Sequence, residues 1–313
     1  MKRLMLALAI VLCLGVFAPA GEKVKIGISV PTADHGWTGG ILWWAQKAVK
    51  DFSAKYPGAE FLLVTADAPA KQISDVEDLV IKGIKALVVL PHEPAPLAPT
   101  LNGLSASGIY MAVVDRVVPE LKYDLYVAGD NPGLGRVCGE FLVRELGSVK
   151  SDLVVMTGIP CDVDTLRVNA FNEVVKKNSN INILESQPAN WSTQKGLEVM
   201  ENYLQKYPHI DAVWCQDDDV LKGVLQAYKE SGRSDVKFIL GGAGSKDIVK
   251  MVIDGDKVVR GTVTYHPRMI YEAVDLVAAH LTNNKSIPKE VILSAELVDR
   301  SNAKDFYYPD DIF

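Results

Sequence analysis

Short apolar runs rich in Val, Ile and Leu alternate with helical patterns along nearly the whole chain, and this alternation constrains the fold more than any other feature. Strands that are apolar on both sides must be covered on both faces, and strands separated by helices run parallel, so the class is α/β with repeated βαβ units. The runs predict strands over 24–30, 59–64, 86–90, 109–114, 125–128, 153–157, 181–186, 212–215, 237–241 and 258–263. Helices are predicted over 40–56, 73–82, 133–146, 165–178, 194–206, 220–231, 246–254 and 268–282, the first with Ile41, Trp44, Ala45, Ala48, Val49 and Phe52 on one stripe. No helix is predicted between 90 and 109, where Pro91-His-Glu-Pro94 reads as a proline-stiffened loop.

The chain of 313 residues exceeds one typical domain, and its two halves repeat the same plan. The expected division is a leader at 1–20, a first lobe at 21–128 plus 266–290, and a second lobe at 129–265 plus 291–313. Crossings are placed at 128–132, 264–266 and 291–297. Several strands crossing between two lobes make a hinge, which suits a protein that closes on its ligand.

Lys2-Arg3, the apolar stretch from Leu4 to Phe17 and Ala18-Pro-Ala20 have the order of an export signal, so a soluble exported protein starting near Gly21 is expected. The residues before Cys13 are Ile10-Val-Leu12 and not the small residues of a lipoprotein signal. Loss of Lys2 and Arg3 leaves 31 basic side chains against 39 acidic ones and a net charge of −8, which argues against nucleic acid as partner. Cys138, Cys161 and Cys215 permit one disulfide at most and lack any zinc spacing, so the fold must rest on its core. No metal or cofactor is expected.

In an open parallel sheet, ligands sit beyond the carboxyl ends of the strands, and the residues at those ends carry the functional reading. Asp115-Arg116 follows an apolar strand and pairs an acceptor with a planar fork of donors, which suits a neutral ligand covered in hydroxyls; alone, the pair also reads as an exposed ion pair. Pro31-Thr-Ala-Asp-His-Gly-Trp37 offers the His35 imidazole and the Trp37 ring, which either faces a sugar or staples the loop onto Trp43 or Trp44. Arg167 sits in the first turn of a helix, where a cation is disfavoured, so it either reaches into the crevice or pairs with Asp164. Trp191 follows another strand, either to sandwich a ring with Trp37 or to fill its own lobe.

Gln216-Asp-Asp-Asp219 exceeds the single N-cap that a helix needs; Asp217 is expected to point at ligand while Asp218 or Asp219 caps. The spacing does not fit a calcium loop. Gly241-Gly-Ala-Gly244 matches neither a dinucleotide fingerprint nor a P-loop and reads as a tight turn. Tyr265, at a crossing, supplies a hydroxyl or a ring.

With these residues in view, the chain resembles the ribose-binding-protein-like family of periplasmic sugar-binding proteins, the exported components of ABC sugar importers. The landmarks are Asp75-Val-Glu-Asp-Leu-Val-Ile-Lys-Gly-Ile-Lys-Ala-Leu-Val-Val-Leu-Pro91, Val114-Asp-Arg116, Ser186-Gln-Pro-Ala-Asn-Trp191 and Ala212-Val-Trp-Cys-Gln-Asp-Asp218. The resemblance implies two Rossmann-like lobes, three hinge segments and the type I periplasmic binding protein fold. It also implies polar ligand roles for Asp115, Arg116, Arg167 and Asp217, ring stacking for Trp37 and Trp191, and a hinge-side contact for Tyr265. Gly242-Ala243 stands where such binders place an aromatic followed by Asp, Asp217 stands for an Asn, and His35 for another. These departures point away from ribose, toward another aldose or ketose, a polyol or a furanosyl molecule.

The function expected from this reading is capture of a sugar or polyol in the periplasm and delivery to a membrane ABC permease, by a monomer and without chemistry. A sensory role, presenting the closed form to a chemoreceptor or sensor kinase, is the companion reading. A sugar hydrolase or isomerase using Asp217 and Asp218 is the enzymatic alternative. Adjacent carboxylates at a helix start point in different directions, whereas glycoside hydrolysis needs two that face each other across about 5 to 9 Å.

Overall fold

The computed structural model describes residues 22–33, 35–146, 148–310 and 312–313, so the predicted leader and Cys13 lie outside the described residues. The first half gives β1 (Val24–Pro31), α1 (Gly36–Lys55), β2 (Ala59–Ala66), α2 (Pro69–Ile81), β3 (Ala86–Val89), α3 (Pro94–Ala106), β4 (Tyr110–Val114) and β5 (Leu125–Gly129). The second gives α4 (Asn131–Leu146), β6 (Ser151–Thr157), α5 (Asp162–Val175), β7 (Ile181–Pro188), α6 (Thr193–Lys206), β8 (Ala212–Cys215), α7 (Asp218–Ser231), β9 (Phe238–Leu240), α8 (Lys246–Asp254) and β10 (Val259–Val263). The chain then adds α9 (Met269–Asn283), β11 (Glu290–Leu293) and β12 (Leu297–Asp299).

Two six-stranded sheets result, ordered β11-β5-β4-β3-β1-β2 and β12-β10-β9-β8-β6-β7. All pairings are parallel except that of β12 on β10. The central strands β3 and β8 are buried at every position, as strands covered on both faces must be, whereas the edge strand β7 carries exposed Asn182, Ser186 and Pro188. In both sheets the order turns back at the first strand, between β1 and β3 and between β6 and β8. That is the switch point beyond which a crevice opens.

Three expectations are corrected. Residues 291–293 belong to the first sheet, since Glu290–Leu293 pairs with β5, so the last crossing is Ser294-Ala-Glu296 and the second lobe regains the chain only from there. Residues 94–106 form a helix, α3, despite Pro94, Pro96 and Pro99. Pro94 and Pro96 fall in the first turn, where backbone N–H groups have no intrahelical partner, so only Pro99 costs a helical hydrogen bond; burial of Leu97 and Leu101 offsets it. Helix α1 begins at Gly36 and not at 40, which brings Trp37 into its first turn.

The second lobe depends on a close helix pair. A Cβ at Gly135 of α4 would sit 2.0 Å from the Arg167 carbonyl oxygen of α5, so glycine is what lets these helices touch. Gly135→Ala is expected to destabilise the protein by about 1–3 kcal/mol, read from urea unfolding. An unchanged midpoint would show that the two helices separate at no cost.

Candidate functional site

The eight side chains singled out in the sequence, His35, Trp37, Asp115, Arg116, Arg167, Trp191, Asp217 and Tyr265, line one cavity, together with Val163 and Ala243. The cavity lies between the lobes and opens to solvent. The first lobe contributes the loop after β1, the first turn of α1 and the residues after β4; the second contributes α5, the loops after β7, β8 and β9, and the hinge residue after β10.

Asp115 is 4% exposed and adopts a left-handed φ of 65°. Its N–H donates to the Val127 carbonyl (2.9 Å) and its own carbonyl accepts from the Tyr126 hydroxyl (2.7 Å), so the turn is held from β5. The Tyr265 hydroxyl donates to its Oδ1. Arg116 lies alongside, Nε 3.8 Å from Asp115 Oδ2, while its Nη1 donates to the carbonyls of Pro91 (3.0 Å) and His92 (2.5 Å). One arm of the fork therefore fixes the guanidinium against the β3–α3 loop, and its remaining N–H groups are oriented before any ligand arrives.

Arg167 is also 4% exposed. Its Nε donates to Asn131 Oδ1 (2.8 Å) and its Nη1 to the Gln216 carbonyl (3.4 Å), and its guanidinium carbon lies 4.2 Å from the Tyr265 ring centroid and 5.8 Å from that of Trp191. It does not pair with Asp164, whose Oδ1 accepts from Gly158 N–H (2.6 Å) and Gln216 Nε2 (2.8 Å). Asn131 and Gln216 thus position the site from behind. In the sequence Gln216 heads the aspartate run and Asn131 falls within the 128–132 crossing, but neither is assigned a role there; a buried arginine needing an acceptor was the available signal.

The aromatic residues settle apart from the nearest-neighbour packing weighed above. Trp43 and Trp44 pack on each other, whereas Trp37 turns away, donates from Nε1 to the Tyr265 carbonyl (2.9 Å) and lies 6.1 Å from that ring. Trp191 also has a left-handed φ of 55°, and its Nε1 donates to Gln216 Oε1 (3.1 Å). A Cβ at Gly158 would fall 2.2 Å from its indole, so the glycine seats the ring. Asp115, Trp191 and Ala243 account for three of the six non-glycine residues with positive φ among the described residues, and strain of this kind persists where the surroundings enforce a geometry.

The aspartate run divides its labour differently from the expectation. Asp217 is itself the N-cap of α7, its Oδ1 accepting from Asp219 N–H (2.7 Å) and Val220 N–H (3.4 Å), and it also lines the cavity. Burial, aided by the nearby Asp219 charge, pushes its carboxyl up to about 6. Asp218 turns inward, where Oδ2 accepts from Ser245 N–H (2.6 Å) and Oδ1 from the Thr262 hydroxyl (2.9 Å). Burial raises the Tyr265 hydroxyl well above its ordinary value, with the Asp115 charge adding to it, so it stays a donor. His92 and Glu93 lie outside this cavity, on a wider cleft that shares His35, Arg116 and Trp191 with it. The cysteines Cys138, Cys161 and Cys215 are all free.

Two matched α/β lobes with a polar, aromatic-walled cavity between them define a two-lobed binding protein. The family model described as periplasmic binding protein domain matches residues 26–285, and the chain belongs to that family. It is 27% identical to the ribose import binding protein of Bacillus subtilis, over 86% of this chain and 85% of that one. It is 28% identical to the galactofuranose-binding protein of Escherichia coli, over 97% and 96% of the two chains. Among solved structures, an ABC transporter solute binding protein from Mycobacterium smegmatis with bound glycerol superposes with a TM-score of 0.82 at 28% identity, covering 92% of this chain and 98% of that one.

Proposed function

We propose that the protein captures a neutral sugar or polyol in the periplasm by closing its lobes, holds it without chemical change and delivers it to an ABC permease. The observation that carries this reading is the charge balance of the cavity: Asp115 and Asp217 face Arg116 and Arg167, drawn from both lobes. Such a wall offers directional donors and acceptors to hydroxyl groups with no net charge left for an ionic ligand. Trp37 and Trp191 present indoles to the C–H faces of the same molecule, and closure removes water from both kinds of contact. Similarity to proteins named for ribose and galactofuranose, and to one with bound glycerol, supports the ligand class.

The test is a thermal-shift panel of aldoses, ketoses, inositols and short polyols, with chromatography of the recovered compound. At least one member is expected to raise the melting temperature by several degrees at a concentration about 100 times its Kd, and to be recovered unaltered. A flat response across the panel, or conversion of the compound to product, removes the reading.

A further inference from the structure

We infer that Asp219 is a latch: a positioning residue that contacts no ligand but holds the closed form by accepting a hydrogen bond from the opposite lobe. The bond runs from the Gly36 backbone N–H, at the start of α1 in the first lobe, to Asp219 Oδ2 in the first turn of α7 in the second, at 2.8 Å. Affinity effects of this latch rest on the capture reading above; the latch itself does not.

The geometry is built from both sides. Gly36 is the first residue of a 20-residue helix, and its N–H has no acceptor within that helix. The first turn of α1 holds no acidic residue, and among the described residues the Asp219 carboxylate reaches the positive end of this long helix from across the cleft. On the other side Asp219 is aimed before the lobes meet: its N–H is held by Asp217 Oδ1, its carbonyl accepts from Thr193 Oγ1 (2.9 Å), and its Oδ1 accepts from Lys222 Nζ (3.1 Å). Oδ2 is the oxygen directed at Gly36. A side chain at 36 would block the approach, since a Cβ there would lie 2.7 Å from both carboxylate oxygens. Asp219 does not line the ligand cavity, yet the adjoining Asp217 does and caps the same helix, so the latch closes beside the bound molecule.

A bond made only after the lobes meet slows opening and leaves encounter untouched, so it acts on the dissociation rate. Two variants of the mature protein test this. Asp219→Asn keeps the size and one acceptor oxygen but loses the charge; Gly36→Ala leaves Asp219 intact and places a methyl group against it. The probe is whichever of D-ribose, D-allose, L-arabinose, myo-inositol and glycerol most raises the melting temperature of the parent, followed by stopped-flow tryptophan fluorescence. Dissociation is expected to quicken about tenfold in each variant, the loss of one charge-assisted bond, with association within about twofold of the parent. The double variant should be no faster than the worse single one, because both remove the same bond. Ligand-free melting should stay within about 2 °C of the parent, which a merely structural role would not allow.

Unchanged dissociation in both single variants overturns the latch, as does a loss of binding that tracks a loss of ligand-free stability. Should no probe bind the parent, the capture reading falls, and small-angle scattering of ligand-free parent and variants decides the latch alone. A larger radius of gyration in both variants supports it, and superimposable curves overturn it.

Discussion

Replacing Arg167 by lysine is expected to weaken ligand capture by about a hundredfold or more, measured by titration calorimetry with the panel compound that stabilises the parent best. Lysine keeps the charge, so the loss isolates the planar fork. In the parent that fork donates to Asn131 Oδ1 and the Gln216 carbonyl while its guanidinium carbon lies 4.2 Å from the Tyr265 ring centroid. An ammonium on a flexible stem cannot reproduce the two directions and the cation–ring contact together, and it leaves Asn131 without its buried donor. Asn131 opens α4 within the first chain crossing and Tyr265 is part of the second, so Arg167 ties the cavity to two hinge segments at once. Calorimetry of ligand-free protein separates the parts of the effect: a fall in melting temperature of only a few degrees with binding lost assigns Arg167 to recognition. Binding within a few-fold of the parent would show that a point charge suffices and that the guanidinium's contact with the Tyr265 ring is incidental.

Much of this site was legible because strand ends in a parallel sheet are legible. A run such as Tyr110-Met-Ala-Val-Val114 can only be an interior strand, and the residues after it can only lie at its carboxyl end, which is how Asp115 and Arg116 reach the cavity. The same step places Trp191 after β7, Asp217 after β8 and Tyr265 after β10. Helix α3 was hidden because a proline count ignores position: prolines in a first turn remove donors that are orphaned anyway. The last crossing was hidden because Val291-Ile-Leu293 has the same pattern whether it completes the first sheet or the second, and only pairing with β5 decides. The roles within Asp217-Asp-Asp219 were hidden for a related reason. Which carboxylate caps, which turns inward and which crosses the cleft depends on where α7 starts to within one residue, a resolution that composition does not carry.

Asp218 carries the largest expected effect on stability. Its carboxyl is enclosed in the second lobe, where burial pushes it up to about 8, against a backbone N–H from Ser245 and a hydroxyl from Thr262 that favour the charged form. A carboxyl whose folded value lies above its unfolded one binds more protons folded than unfolded. Its contribution is therefore fully present below the unfolded value near 3.8 and is lost as pH rises through about 8. Asp217 acts in the same direction with its loss complete by a little above pH 6. At ~1.4 kcal/mol for each tenfold gain in proton affinity on folding, Asp218 alone makes the ligand-free protein less stable at pH 8.5 than at pH 5 by several kcal/mol. Asp218→Asn should flatten most of that slope and raise the melting temperature at pH 8.5. The amide oxygen can still accept from Ser245 N–H, its NH₂ can donate to Thr262 Oγ1, and no charge remains to be buried. Carboxylates held below their ordinary range, such as Asp235 beside Arg233, destabilise the fold only when protonated, near pH 2, and so leave this window clear. Equal slopes in parent and variant between pH 5 and 8.5 would mean that Asp218 ionises freely where it sits. The network joining it to Ser245 and Thr262 would then have to stabilise the anion by as much as burial costs it.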